Sequence, residues 1–381
     1  MQPLLSIIVS FDFWLKLFLC LVISSWFPGI TQNNWQFFIF DYGSLLLFGL
    51  STFRKSEREF RNYNVFLILI CSVLVTILNN FKAFPVDLIH VIAGCLLYFS
   101  IVRSLKDFKG TIKVLFWIAI INSIVAGFQI LGFDPLYAPD PENQFMQKEH
   151  LTITGLMGRS YHLSYFLSTV SALSFFLNSI WWSVILIIIS FGILLFTKSY
   201  VLIFSLSCLL LFFIKKRFLF IGVFGILILI LILGYLNISR LQNKLHIRLP
   251  TYAYIIKESI VNPFKGYGLG SFDVISKDNL IGLGNEEPIK IISSYNQYLR
   301  IGYELGWTLT IAIFTGVFFY FKKLGINKVC ILICIPLLLF PMFHEILRFA
   351  RLDVLIIISF ALLEIFLLTK KEENHEHIYS V

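Results

Sequence analysis

Apolar residues fill long runs along this chain, and short polar segments separate one run from the next. A membrane-spanning helix needs roughly 20 consecutive apolar residues, and most of the runs approach or reach that length. The pattern therefore predicts an all-α polytopic membrane protein with about 12 transmembrane helices. The predicted spans are 4–28, 35–53, 65–80, 86–102, 112–132, 161–178, 180–196, 200–214, 218–236, 300–321, 329–343 and 353–369.

Composition supports this prediction. The chain has 381 residues, of which 58% are hydrophobic and only 14% are charged. A soluble domain carries roughly a quarter charged residues. Residues 1–381 are therefore predicted to form a single membrane domain. The first apolar run contains Asp12 and Lys16 and has no small-residue cleavage site, so it is predicted to be the first span.

Lysine and arginine gather in every second short connection between the predicted spans. Short connections rich in these residues stay on the cytoplasmic side, so both termini are predicted to be cytoplasmic. Topology therefore explains the net charge of +9, and we expect no nucleic-acid partner. The basic residues of these connections are Arg54, Lys55, Arg58, Arg61, Arg103, Lys106, Lys109, Lys113, Lys215, Lys216, Arg217, Lys322, Lys323, Lys328, Lys370 and Lys371.

Two connections on the extracytoplasmic side are long, namely 133–160 and 237–299. Apolar residues at helical spacing within 237–260 predict a surface helix between the ninth and tenth spans, with Pro250 near its start. The C-terminal segment KKEENHEHIYSV is short and highly charged, and we expect it to be disordered.

Three glycines alternate in the segment NPFKGYGLGSF, as Gly266, Gly268 and Gly270. This spacing allows backbone N–H groups to approach a phosphate. No strand precedes the segment and no Gly-Lys-Ser/Thr follows it, so it is neither a dinucleotide-binding motif nor a P-loop. The alternative interpretation is a helix stop followed by a turn.

Several polar residues near the extracytoplasmic ends of spans are candidates for substrate contacts. Arg248 suits a diphosphate because its planar fork binds phosphate oxygens in pairs, and the alternative is contact with ordinary lipid headgroups. Asn296, Arg300 and Glu304 recur every four residues and share one helical face. The alternative for the last two is an exposed ion pair of little energetic value. Further outer cations are Lys198 in TKSY and His344, Arg348 and Arg351 in HEILRFAR.

The remaining polar residues predict little further chemistry. A lone histidine within a span, such as His90, is expected to be structural. No cluster of carboxylates of the kind that binds a divalent ion is apparent in the sequence, so we expect neither a metal nor a cofactor.

Four segments resemble, in the same order, motifs of the O-antigen ligase/polymerase superfamily of membrane glycan transferases. TGLMGRSYHLSYFLS resembles its glycine-containing segment that leads into a span, and FTKSYVLIF resembles its Thr-x-Ser-Arg segment. RLPTYAYIIKESIVNPFKGYGLGSF resembles its run of Arg, aromatic residues, Pro and Gly-x-Gly-x-Gly-x-Phe. YNQYLRIGYELGW resembles its run of His-Asn-x-x-Leu and Glu-x-Gly. The resemblance covers about residues 154–309.

The resemblance implies a GT-C-like glycosyltransferase that acts at the outer face of the bacterial inner membrane. The donor is expected to be a glycan on undecaprenyl diphosphate, and no metal is expected. In a surface polysaccharide polymerase, which is the first choice, the acceptor is another lipid-linked glycan. In an O-antigen ligase, the acceptor is a lipid A-core sugar. Membrane lipids and a chain-length regulator protein are further candidate partners.

The resemblance also implies roles for individual residues. Two positions depart from the family pattern, because Tyr200 stands at the usual Arg of Ser-Arg and Tyr295 stands at the usual His before Asn. The expected catalytic residues are Arg248, Tyr295, Asn296 and Glu304. The expected substrate-binding residues are Arg159, Lys198, Tyr200, Gly266, Gly268, Gly270, Arg300, His344, Arg348 and Arg351. Arg159 or Lys198 could supply the missing charge, and His162, His246 or His344 the missing base.

Two other functions fit the sequence. A flippase for lipid-linked glycans would place charged or broken helices near the middle of the membrane, and usually has a repeat between its halves. No repeat is visible in this sequence. A scaffolding member of the family without activity would also explain Tyr200 and Tyr295.

Overall fold

The chain forms helices and one pair of two-residue strands within the part that the computed structural model describes. The described residues are 10–23, 32–53, 56–79, 85–133, 153, 155–157, 160–177, 180–197, 238–272, 280–281, 289–290, 296–326, 328–339, 341 and 350–379. The helices are α1 (Phe11–Ile23), α2 (Gln32–Thr52), α3 (Asn64–Leu78), α4 (Pro85–Ser104), α5 (Phe108–Ile130), α6 (Ser160–Leu173), α7 (Ile180–Thr197), α8 (Ile238–Val261), α9 (Gln297–Leu305), α10 (Trp307–Leu324), α11 (Lys328–Leu339) and α12 (Ala350–Tyr379). A 3₁₀ turn, Ser174–Phe176, follows α6, and β1 (Leu280–Ile281) pairs antiparallel with β2 (Ile289–Lys290).

Three of these helices contain segments that are long and apolar enough to cross a membrane, namely Asp87–Ser104, Phe108–Ile130 and Leu352–Lys371. Shorter apolar segments occur in α2, α3 and α7. The predicted spans overlap described helices, except that 200–214 and 218–236 lie outside the described residues, as do residues 4–9 and 24–28 of the first span. The all-helical architecture is therefore confirmed, and the number of spans stays a prediction.

Helix α12 lies at the centre of the bundle, where it packs against α1, α2, α4, α6 and α10. Its apolar side chains are buried around most of its circumference, as Leu352, Leu355 and Leu362 illustrate. A helix that is apolar on all sides is expected in this position. Outer helices instead expose large apolar side chains, including Ile70 of α3 and Ile188 of α7, and such faces suit contact with lipid.

Two of the even-numbered predicted spans, the fourth and the twelfth, run in the same direction. On α4 and α12, His90 contacts Asp353, and further along both helices Tyr98 contacts Glu364. These two contacts can form together only if α4 and α12 are parallel. Helices α6 and α7, in contrast, are antiparallel, and their alternation matches the prediction from hydropathy.

The connections predicted to lie on the two sides of the membrane separate to opposite ends of the bundle. At one end, Lys106 Nζ lies 2.6 Å from a Glu57 carboxylate oxygen. A cavity at that end is lined by basic residues from three predicted cytoplasmic connections, namely Arg58, Lys106, Lys109 and Lys370. At the other end, the Asn79 side chain donates to the Lys265 carbonyl at 3.4 Å. The structure thus agrees with the grouping of connections, whereas the sidedness itself stays a prediction.

Three local predictions are wrong. The predicted span 300–321 is interrupted at Gly306, whose φ of 85° ends α9 before α10 begins. Pro250 lies inside α8 and not near its start, although a proline at this position lacks one helical N–H donor and crowds the preceding turn. The tail is helical as far as Tyr379, since extension of an existing helix needs no new nucleus.

Sidedness can be measured with cysteine labelling. In a variant without native cysteines, Lys265→Cys should react with a membrane-impermeant thiol reagent in intact spheroplasts, because this exposed residue lies at the predicted outer end. Lys323→Cys, which is also exposed, should react only after permeabilisation. The opposite labelling pattern would contradict the topology and remove the outer site described below.

Candidate functional site

The break at Gly306 leaves backbone groups without helical partners. The last carbonyls of α9 and the first N–H groups of α10 have no intrahelical hydrogen-bond partner. Only glycine readily adopts the backbone conformation at this position, with φ 85° and ψ 146°. An interrupted helix close to a membrane therefore needs hydrogen bonds from elsewhere in the protein.

Residues 262–272, which we call the Gly-rich loop, supply those partners to α9. The Tyr267 N–H donates to the Tyr303 carbonyl at 3.0 Å, and the Gly268 N–H donates to the Glu304 carbonyl at 2.9 Å. Two of the segments on which the family resemblance rests are thus in direct contact. The loop caps the C-terminal end of α9.

The same loop also caps the start of α10. The Pro263 carbonyl accepts a hydrogen bond from the Thr308 N–H at 3.1 Å. The indole of Trp307 donates to the Ser259 hydroxyl at 2.9 Å, which joins α10 to the end of α8. Helices α8, α9 and α10 and the Gly-rich loop therefore form one connected unit.

Glycine is required at two positions of this loop. Gly266 has φ 57°, and a Cβ there would overlap the Glu304 carbonyl. Gly270 has φ 74°, and a Cβ there would overlap the carboxylate of Asp87 on α4. The N–H groups of Gly266 and Gly268 both donate to protein carbonyls, which corrects the expectation that they face a phosphate. The glycines shape the candidate site through close packing.

Helix α9 carries the charged residues predicted to share a face. Arg300 Nε lies 3.0 Å from Glu304 Oε1, and the two residues are only 5% and 6% exposed. The alternative interpretation of an exposed pair is therefore wrong. Loss of one partner of a buried ion pair costs about 3–5 kcal/mol, so this pair also holds the helix in place. Asn296 caps α9, since its side-chain oxygen accepts from the Leu299 N–H at 3.1 Å.

A second group of ionisable residues lies beside this pair. His90 Nδ1 is 3.1 Å from Asp41 Oδ1, and His90 Nε2 is 2.6 Å from Asp353 Oδ2. Asp353 is 2% exposed, and Arg300 is close enough to interact with it electrostatically. The three helices α2, α4 and α12 thus bring a histidine between two carboxylates next to α9.

We define the polar ring as Asp87, His90, Asp353, Arg300 and Glu304, which are linked by these contacts, by α4 and by the Gly-rich loop. Asp87 and His90 lie three residues apart on α4 and therefore on neighbouring parts of one helical face. The Gly-rich loop completes the ring, because it contacts Asp87 at one side and the Glu304 carbonyl at the other. Carboxylates outnumber guanidinium groups in the ring, so it suits hydroxyl donors such as sugars better than a diphosphate.

Tyrosines add an aromatic part to the unit. The rings of Tyr267 and Tyr303 stack with centroids 4.6 Å apart. Burial raises the pKa of the Tyr267 hydroxyl above its usual value, so this group is protonated at neutral pH. It lies 3.3 Å from a carboxylate oxygen of Glu258, to which it donates.

Arg248, the predicted diphosphate ligand, is half-buried on α8. It lies on the same helical face as Thr251 and Ile255, which are buried. Ile255 clusters with Phe272 of the Gly-rich loop and Tyr303 of α9. Arg248 is two helical turns from Ile255, about 10 Å along the axis, and so flanks the capped helix break.

The other predicted site residues cannot be placed relative to the ring. Arg159, Lys198, Tyr200, Tyr295, His344 and Arg348 lie outside the described residues, as do the side chains of His246 and Arg351. Arg351 belongs to the first turn of α12. His162 is buried on α6, where its Nδ1 lies 3.4 Å from the Met157 carbonyl. The roles assigned to these residues stay predictions.

Sequence reasoning missed Asp41 and Asp353 and treated His90 as structural. The sequence did contain an indication of this group, because all three residues lie near the predicted outer ends of spans two, four and twelve. Ionisable residues at one depth of several parallel spans are candidates for a shared site.

Comparison of the chain with protein-family models finds no match, and comparison with curated proteins finds none either. The resemblance to the glycan transferase superfamily therefore rests on the four sequence segments.

Close packing of the Gly-rich loop predicts a large effect of one added methyl group. Gly266→Ala should destabilise the protein, because the new Cβ meets backbone atoms of Glu304 and Gly306. Gly132→Ala is the matched control, since Gly132 also has a positive φ, 86°, but has open space around it. Gly266→Ala should cost about 1–3 kcal/mol more than the control, measured by thermal unfolding in detergent. Equal melting temperatures would contradict the docked loop.

Proposed function

We propose that this protein is a GT-C-like membrane glycosyltransferase at the outer face of the bacterial inner membrane. In this proposal it polymerises a surface polysaccharide from an undecaprenyl-diphosphate-linked donor. The observation that carries the proposal is the hydrogen bond from the Gly268 N–H to the Glu304 carbonyl. It joins two separate segments that both resemble the glycan transferase family, at the end of the bundle predicted to face outward.

The charge distribution supports separate places for the two substrates. Arg248 lies on α8, whereas the carboxylates of the polar ring lie on α4, α9 and α12, and its planar guanidinium suits the diphosphate of the donor. The ring offers the acceptor sugar a buried hydrogen-bond acceptor in Asp353 Oδ1. The lipid tail of the donor would lie along the exposed apolar faces of the helices.

The proposed chemistry is substitution at the anomeric carbon of the donor. A hydroxyl of the acceptor attacks this carbon while the bond to the diphosphate oxygen breaks. Arg248 stabilises the charge that builds on the leaving diphosphate, which is electrostatic catalysis. A polymerase and an O-antigen ligase share these steps and differ in the acceptor.

A flippase is a second candidate, and two observations favour it. Asp353 and Glu364 are buried carboxylates on the central helix, and Gly306 interrupts another helix. Both features are common in transporters. Deletion of the gene followed by gel analysis of surface glycans separates the candidates. Loss of the ladder with single repeats retained indicates a polymerase, accumulation of lipid-linked polymer indicates a ligase, and precursor in the inner leaflet indicates a flippase.

The proposed donor site predicts a specific requirement for arginine at position 248. Arg248→Ala and Arg248→Lys should each lower the rate of transfer roughly a hundredfold or more, about 2–4 kcal/mol, because lysine lacks the bidentate fork. Lys257→Ala is the control, since Lys257 is an exposed cation on the same helix. Complementation of the deletion strain and assay in membranes measure the effect. A folded, fully active Arg248→Ala protein would refute the donor site.

Tyr295 gives a further prediction, although it lies outside the described residues. We expect it to orient the acceptor or the diphosphate as a neutral hydroxyl, because the reference pKa of tyrosine is about 10. Tyr295→Phe should lower the rate at least about tenfold, or 1.4 kcal/mol, at unchanged protein level. Tyr295→His should retain activity and acquire a pH dependence near the reference histidine pKa of about 6.5. Full activity of the Tyr295→Phe variant would mean that the aromatic side chain of Tyr295 contributes only packing.

A further inference from the structure

We call Asp41, His90 and Asp353 the histidine array. Its hydrogen bonds determine how many protons the three side chains share. Each ring nitrogen of His90 lies within hydrogen-bond distance of a carboxylate oxygen. A bare ring nitrogen cannot donate, and two facing acceptors repel each other. Both contacts form only when the array holds two protons. Either His90 is an imidazolium between two carboxylates, or it is a neutral imidazole between one carboxylate and one carboxylic acid. In both cases the net charge of the array is −1.

One carboxylate oxygen of the array, Asp353 Oδ1, is not used in the hydrogen bonds to His90. Asp353 Oδ2 binds His90, whereas Asp353 Oδ1 is buried and has no hydrogen-bond partner among the described residues. A buried carboxylate oxygen without a donor is costly, because it has lost water and gained nothing in exchange. Such an atom is a binding position for a ligand that can donate a hydrogen bond.

Several hydrogen-bonding side chains surround Asp353. Arg300 of α9 interacts with it electrostatically, and so does Tyr165 of α6. Tyr165 is also close enough to Tyr298 of α9 for electrostatic interaction. No group of three or more metal-ligating side chains occurs in the part of the chain that the structure describes. A carboxylate, a guanidinium and phenol groups are the usual partners of carbohydrate hydroxyls.

We propose that Asp353 accepts the proton of the attacking acceptor hydroxyl and that His90 and Asp41 position it. The inference rests on the proposed transferase function and assigns its base. The hydroxyl proton passes to Asp353 Oδ1 as the acceptor oxygen bonds to the anomeric carbon. The bonding pair of the donor C–O bond leaves with the diphosphate, and the proton is then released to water.

Electrostatics favours this uptake of a proton. Arg300 and Glu304 form a pair with no net charge, so the array and Asp87 together determine the net charge of the region. Uptake of a third proton changes the array from −1 to neutral, which lowers the cost of burying it. His90 and Asp41 would keep the position of Asp353 fixed in both states, so they act through Asp353 and are positioning residues.

The test compares two buried carboxylates on the same helix. Asp353→Asn keeps the shape of the side chain and an oxygen that can accept from His90, but it cannot take up the proton. Glu364→Gln is the matched control, because Glu364 is also buried on α12 and accepts from Asn62, Tyr98 and Tyr320. General base catalysis contributes about 10²–10⁴-fold, so Asp353→Asn should lower the transfer rate at least a hundredfold per folded protein. Glu364→Gln should stay within a few-fold of the wild type.

The outcomes separate this inference from the proposed function. If the wild type restores the glycan ladder and Asp353→Asn restores it equally, the base assignment fails and the transferase stands. If the wild type transfers no glycan from any lipid diphosphate donor, the proposed function fails first. Asp41→Asn should shift the pH–rate profile, which a purely structural role would leave unchanged at equal protein level.

A spectroscopic measurement covers the case in which Asp353→Asn does not fold. Nitrogen NMR of wild-type protein with labelled histidine, in nanodiscs at neutral pH, should give His90 signals without a bare, unbonded ring nitrogen. His90→Gln identifies the signals by their loss. A neutral His90 with one free nitrogen would overturn the array and the base assignment with it.

Discussion

The hydrogen-bond demand of an interrupted helix organises the candidate site. At Gly306 the chain leaves one helix and enters another, and the free carbonyls and N–H groups at the break must find partners where water is scarce. The Gly-rich loop satisfies both sides of the break, with N–H groups of Tyr267 and Gly268 for α9 and the Pro263 carbonyl for α10. Because these bonds use the backbone, the loop cannot move away without exposing several unpaired groups. The site is therefore held as one unit by its caps.

Two buried carboxylates on the central helix α12 have different surroundings, and these surroundings suit different roles. Asp353 and Glu364 lie on the same face of α12, three turns or about 16 Å apart. Glu364 accepts hydrogen bonds from Tyr98 of α4, Tyr320 of α10 and Asn62, which precedes α3, and joins them into the core. Asp353 has one oxygen engaged by His90 and the other without a partner among the described residues. The carboxylate of Glu364 thus stabilises the packing of the helices, whereas the carboxylate of Asp353 is a candidate binding group.

Helix positions and directions could be predicted because hydropathy and the placement of lysine and arginine act along the chain. The common face of Arg300 and Glu304 followed from helical periodicity alone. Their burial did not, since it depends on the packing of α9 against elements distant in sequence, such as α8 and α3. The array of Asp41, His90 and Asp353 was missed for the same reason, because one-dimensional patterns do not say which helices are neighbours. The break at Gly306 escaped the prediction because a single glycine is compatible with a continuous helix.

Helix α9 lies between the proposed positions of the donor and the acceptor. Leu299 and Tyr303 pack toward α8, whereas Arg300 turns toward Asp353, and one residue along a helix rotates a side chain by about 100°. Donor and acceptor would therefore approach adjacent faces of one short helix. This separation matters because the leaving diphosphate needs positive charge, while the attacking hydroxyl needs an acceptor for its proton. Placed together, a guanidinium and a carboxylate would neutralise each other. In the proposal, Arg248 on α8 serves the donor and Asp353 on α12 serves the acceptor, so the two charges belong to different helices.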